Sequence, residues 1–189
     1  MNSSHQADIL SECYKLVQAF ADLEVLLDDV FVMGVSQRKC LARKIKQYPT
    51  YLGGKLKKLP VLAEVFGDLL PKEIISFCES ASVDLEAPLA CRQLVVHGRL
   101  YEARSTYQGL ELMFAKHSLP VKEGGRQLLN RKTAIRLLLA EVRDARTPIQ
   151  EARERMQEIY FKLFHAGNGW PDFMPQQEAP LLFPSTSQA

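Results

Sequence analysis

Residues 36–60 hold eight cations and no carboxylate: Arg38, Lys39, Arg43, Lys44, Lys46, Lys55, Lys57 and Lys58. The whole chain carries a net charge of only +2, so everything outside that stretch sums to −6. Segregation of this kind builds a local positive potential that the net charge conceals. Tyr48 and Tyr51 lie between the two basic clusters. Cations that track a backbone, interleaved with rings that accept stacked bases, are the chemistry of nucleic-acid binding. The competing reading is a basic face that pairs internally with the acidic run Asp22, Glu24, Asp28 and Asp29.

A sharper form of the first reading predicts a helix over 36–45, a turn at "KQYP" and a second helix over 50–59. Ala42, Ile45, Leu52 and Leu56 would then face inward, as in a helix-turn-helix that offers its later helix to a groove. A second patch, Arg126, Arg131, Lys132 and Arg136, has no acid between Glu123 and Glu141. On a helix Lys132 and Arg136 would lie one turn apart and share a face.

The phrase "CRQLVVHGRLYEA" places Arg92 and His97 in R-x4-H spacing, followed by Gly98. It resembles the motif of the HEPN ribonucleases, which are all-helical. The resemblance implies that Arg92 and His97 act together at a dimer interface, the histidine in proton transfer and the arginine on phosphate. Such a pair suits RNA cleavage, because a guanidinium binds phosphate beside a group that titrates near neutrality. No other catalytic grouping stands out. His5, His117 and His165 are isolated, and Cys13, Cys40, Cys78 and Cys91 lack the spacing of metal ligands. Neither a metal nor a cofactor is expected.

The elements that must position these residues are predicted to be helices throughout. Ile9, Cys13, Leu16, Phe20, Leu23, Leu27 and Val30 alternate by four and three, the pattern of a coiled-coil seam. Gly34 is expected to end that helix and Ser36 to cap the next. Long helices are also expected from Pro88 to about Lys116 and from Arg126 to Arg146. A last helix should begin with Thr147 as cap, Pro148 in the first turn and Gln150 reaching back. Its face, Ile149, Ala152, Met156, Ile159 and Leu163, again alternates by three and four. First and last helices are therefore expected to meet.

The expected architecture is all-α: one bundle of about five to seven helices over residues 1–167, with the basic segment 36–60 inserted after the first long helix. Residues 168–189 form an extended Pro-rich tail, with four prolines and the bulky Trp170, Phe173, Met174, Leu181, Leu182 and Phe183. The tail is expected to wrap back over the bundle, the alternative being a docking peptide for another protein. At 189 residues and 47% hydrophobic, the chain can bury a sizeable core. No apolar run approaches the roughly eighteen residues of a membrane span, and no basic start leads into an apolar run like a secretory signal. The reading is cytoplasmic, with reduced thiols.

Together these features predict a non-enzymatic nucleic-acid-binding accessory or regulatory protein, DNA being favoured over RNA. The alternative is a helical adaptor or inhibitor that binds a protein through its heptad face or tail, and a homodimer through the first helix is raised by the same seam.

Overall fold

The computed structural model describes residues 3–117, 122–123, 126–127 and 132–167. The tail 168–189 and Arg131 lie outside them.

The heptad pattern produces what it predicts. The first helix, α1 (Ser3–Gln37), buries Ile9, Leu16, Phe20, Leu23, Leu27 and Val30, and half-buries Cys13. Its partner is the last helix, α8 (Arg146–Ala166), whose Ile149, Ala152, Met156, Ile159 and Leu163 are all buried. Arg146 reaches Glu12 near the start of α1, while the Gln37 side chain donates to the Leu163 carbonyl near the end of both helices. The two helices therefore run in the same direction. The seam is filled from within the chain, which removes it as a homodimer surface.

Two details of α1 differ from expectation. The helix runs through Gly34, where a Cβ would sit 2.8 Å from Leu41 Cδ2 and 3.3 Å from atoms of Leu62 and Phe66. The glycine is there to let the next helices approach, not to end α1. Ser36 donates its hydroxyl to the Met33 carbonyl at 2.7 Å and caps nothing. Five shorter helices follow α1: α2 (Lys39–Ile45), α3 (Leu52–Leu56), α4 (Leu59–Phe66), α5 (Lys72–Asp84) and α6 (Glu86–His97).

From this point the all-α expectation fails. Gly98 leaves α6 with extended backbone, and the chain enters β1 (Arg99–Thr106) and β2 (Gly109–His117). The two strands pair antiparallel around Tyr107 and Gln108, and Gly109 closes the turn with φ +115°, a conformation that favours glycine. Short strands β3 (Lys122–Glu123) and β4 (Arg126–Gln127) pair with each other. The strand β5 (Lys132–Leu138) then adds to the far side of β2, giving sheet order β1-β2-β5. In place of the predicted helices from Pro88 to Lys116 and from Arg126 to Arg146 stand α6, the strands β1, β2, β4 and β5, and the short α7 (Leu139–Asp144). Gly98 and Gly109, which would only weaken a long helix, are its end and the hairpin turn.

The sheet has two faces of opposite character. Leu112 and Phe114 are buried toward α6 and α7, while Glu111 points to the other side. There Glu111 is buried between two arginines, Arg104 directly opposite on β1 and Arg136 at 2.5 Å from β5. The protein is thus mostly helical, with one small antiparallel sheet. The last helix also begins earlier than expected: Arg146 and Thr147 are already helical, and Gln150 bonds Glu154 rather than reaching back. Among the described residues no helix is long and apolar enough to cross a membrane.

A carboxylate ties α1, α7 and α8 together. Buried Glu12 accepts from Lys15 at 3.0 Å and from Arg146 at 2.7 Å, with Arg143 Nε at 3.7 Å. The hydrogen bond from Lys15 holds the Glu12 carboxyl below its usual range; burial opposes it, and the charges of Arg146, Lys15 and Arg143 reinforce it. A depressed folded-state value means that the group stabilises the fold above its ordinary pKa and loses that contribution as pH falls through the lowered one. Glu12→Gln should therefore lower Tm by about 3–6 °C near pH 7, from roughly 1.5 kcal/mol of lost charge-assisted bonding. Thermal melts across pH should show the gap closing as the medium is acidified below the carboxylate range; a gap that persists there would assign the loss to packing instead.

Candidate nucleic-acid interface and the adjoining cleft

The helix α2 has seven residues, and its buried positions Leu41 and Ile45 lie one turn apart. The opposite stripe is then Lys39, Arg43 and Lys46, at i, i+4 and i+7, and all three are exposed. Lys46 caps the helix with φ 59° and ψ −66°; among the described residues it is the one non-glycine with positive φ. Holding a lysine there costs about 1–3 kcal/mol, a strain that the surrounding structure must impose.

The second helix of the expected helix-turn-helix is cut to the five residues of α3, and Leu59 starts α4. Gly54 explains part of this. A Cβ on it would lie 2.7 Å from Pro49 Cβ and 3.1 Å from the Tyr51 ring, so the loop folds tightly over α3. A five-residue helix pinned in this way has no free length to lay in a groove.

Three of the eight cations are engaged with acids of the chain itself. Lys55, whose side chain is 6% exposed, lies 2.9 Å from Glu24 Oε1 and 2.9 Å from Asp28 Oδ2. Burial pulls its ammonium down, and hydrogen bonds to Asp28 and Glu24 outweigh that, leaving it above its ordinary value. Arg38 makes two bonds to Asp68, at 2.8 and 2.6 Å, and stacks over the Phe66 ring at 4.7 Å. Lys44 pairs with Glu64. Tyr48 is drawn in as well: its hydroxyl donates to Asp28 at 2.6 Å and its ring meets Phe31 edge-on at 5.2 Å. Burial, then the Asp28 bond, pushes the phenol far up, so Tyr48 acts as a donor and not as an ionisable group. The internal pairing weighed from the sequence therefore holds for Glu24 and Asp28, whereas Asp22 takes Gln18 at 2.8 Å.

What faces outward is Lys39, Arg43, Lys46 and Lys57, with half-buried Lys58 and with Tyr51, 70% exposed. The second patch does not join them. Arg136 is held by Glu111 and Gln108, and Lys132 stands opposite His117 in the strand register. Strand β1 lies beside Gln6, Ile9 and Leu10 at the start of α1, whereas α2 and its loop lie beside Asp28 to Val35 near the end. At 1.5 Å per residue those places are roughly 30 Å apart.

Arg92 and His97 both fall on α6, five residues apart, which is about 140° around the helix, so they do not share a face. His97 is the exposed last residue of α6, and Arg92 has a buried Nε without a partner among the described residues. The strand that follows immediately departs from the all-helical fold implied by the HEPN resemblance. Among the described residues no group of three or more His, Cys, Asp or Glu side chains is arranged to hold a metal ion.

One feature was missed in the sequence. Phe31, Val32 and Val35 of α1, with Ala42 and Ile45 of α2 and the Tyr48 ring, line an open, largely apolar cleft of about 600 Å³, with Lys46 beside them. Its only sequence signal was that Val32 and Val35 are apolar yet lie off the heptad seam. Comparison with protein-family models, with curated protein sequences and with solved structures returned no match.

Proposed function

We propose that this protein is a non-enzymatic nucleic-acid-binding accessory or regulatory factor that holds phosphates through the outward face of α2, DNA being the favoured partner. The observation that carries the reading is the stripe Lys39, Arg43 and Lys46, exposed and without an acid anywhere in residues 36–60. Lys57 and Lys58 extend it, and Tyr51 offers a ring for stacking on an unpaired base. Lys55, Arg38 and Lys44 are left out of the contact surface, because their charges already have partners. Contacts of this type position a backbone without reading its sequence.

The test is fluorescence-anisotropy titration of labelled duplex DNA, single-stranded DNA and RNA. With about five phosphates neutralised, affinity for duplex should fall about 500-fold between roughly 50 and 200 mM salt. Reversing the stripe, as Lys39→Glu, Arg43→Glu and Lys46→Glu together, should weaken binding at the lower salt by about 100-fold or more, with the melting curve unchanged. Absence of binding at low salt would discard the reading.

The adaptor alternative no longer has the heptad face, which is spent on α8. It keeps the C-terminal tail, which lies outside the described residues, and gains the apolar cleft as a surface.

A further inference from the structure

We infer that the cleft between the end of α1, α2 and the loop before α3 is occupied by the chain's own tail, through Leu181, Leu182 and Phe183. The cleft by itself says only that apolar surface lies uncovered there: Val32 is 47% exposed and Tyr48 38%. Three further observations name the occupant.

The first is where the tail starts. Gln37, the last residue of α1, donates to the Leu163 carbonyl, and a Cβ on Gly167 would sit 2.4 Å from the Gln37 amide nitrogen. The tail therefore leaves α8 beside the end of α1. Val35 and Val32 stand two and five residues back from Gln37, only about 3–8 Å along the axis, though around a helix about 10 Å across.

The second is reach. Leu181 is fourteen residues beyond Gly167, enough for about 46 Å of extended chain, several times the distance needed. Trp170, three residues out, spans only about 10 Å and is too near the start of the tail to reach around the helix.

The third is charge. Residues 168–189 contain Asp172 and Glu178 and no Lys or Arg. Glu178 precedes Leu181 by three residues, and the rim of the cleft carries Lys46, with exposed Arg43 on the same face of α2. The other charges at the cleft, Asp28 and Lys55, are paired with each other. An acidic, apolar segment against an apolar floor with a cationic rim is complementary in both respects. Pro180 and Pro184 flank the apolar triplet and limit the conformations lost when it docks.

Tethering also makes this occupant hard to displace, since a linked segment meets its site at an effective concentration in the millimolar range. A foreign peptide or a second copy must compete with that.

The experiment places the photoreactive analogue benzoylphenylalanine at Phe183 in the full chain and maps cross-links by mass spectrometry, using a mixture of ordinary and 15N-labelled protein. The expected result is cross-links within one chain, to residues 31–35 and 42–49. Val32→Asp, a change at a half-exposed position, should reduce their yield about tenfold, because an unpaired carboxylate on the floor opposes apolar docking. Ala42→Asp, also exposed, repeats the test if the first variant melts early. Cross-links that fall elsewhere, that join ordinary to labelled chains, or that ignore both substitutions would overturn the inference. The rim shares Lys46 and Arg43 with the phosphate reading, but neither substitution touches Lys39, Arg43 or Lys46, so failure of the cross-links and failure of nucleic-acid binding are separate results.

Discussion

Phe20→Ala should lower the unfolding free energy by about 3–5 kcal/mol, the range found when a fully enclosed aromatic ring is removed. Phe20 is 1% exposed at the middle of α1, within the stripe that meets α8. Truncation leaves a hole whose lining is carried by two long helices held in register at both ends, by Glu12 with Arg146 and by Gln37 with Leu163. Helices so fixed cannot close together, which places the cost toward the upper part of the range. For a chain of this size, Tm should fall by about 10 °C or more. The same measurement bears on assembly: if the seam belongs to the monomer, the midpoint of wild type and variant alike stays constant over about a hundredfold dilution. A midpoint that drops on dilution would mean that the seam faces a second copy, and a loss below about 1 kcal/mol that Phe20 is not enclosed.

The seam was legible because a two-sided helix writes its buried face at intervals of three and four, and neither Gly34 nor the ends of α1 disturb that record. The strands were not, and the reason lies in particular residues. Ile135, Leu138, Leu139 and Val142 stand at helical intervals, yet the first two belong to β5 and the last two to α7. A strand running straight into a helix imitates one continuous period. In β2, Leu110, Leu112 and Phe114 alternate as a strand should, but Met113 fills the gap and Glu111 and Lys116 are good helix formers. Tertiary pairing decided the matter, through the register of Arg104 with Glu111 and of Phe114 with Ile135.

The basic stretch was legible as composition and only partly as surface. Charge counts along the chain reveal eight cations, but not that the partners of Lys55 lie 27 and 31 residues earlier, nor that Asp68 lies 30 residues beyond Arg38. The stripe Lys39, Arg43 and Lys46 could have been picked out, because Leu41 and Ile45 fix which side of α2 is inward. The cleft could not, since it exists only where α1, α2 and the loop before α3 come together.

Lys55→Ala separates the roles of the basic residues most sharply. The substitution should cost about 2 kcal/mol and lower Tm by about 4–8 °C, while leaving nucleic-acid affinity within about twofold of wild type. Removing one member of a buried pair commonly costs about 3–5 kcal/mol. Here Glu24 and Asp28 keep 30% and 42% exposure, so water relieves part of the charge left behind and the cost is smaller. They nevertheless stand four apart on one face of α1, and without the ammonium they repel each other beside the Tyr48 hydroxyl. Because the folded-state value of Lys55 is raised, its contribution is complete below its ordinary pKa and disappears only as pH climbs through the raised one, so neutral pH shows the full loss. Adding Glu24→Gln and Asp28→Asn should recover much of the stability, because the stranded charges go with the ammonium. Lys57→Ala is the counterpart: an exposed cation whose loss should leave Tm in place and make the salt dependence of binding shallower by about one unit of slope. If Lys55→Ala instead kept its stability and lost DNA binding, the ion pair with Glu24 and Asp28 would open in solution, and Lys55 would return to the phosphate surface.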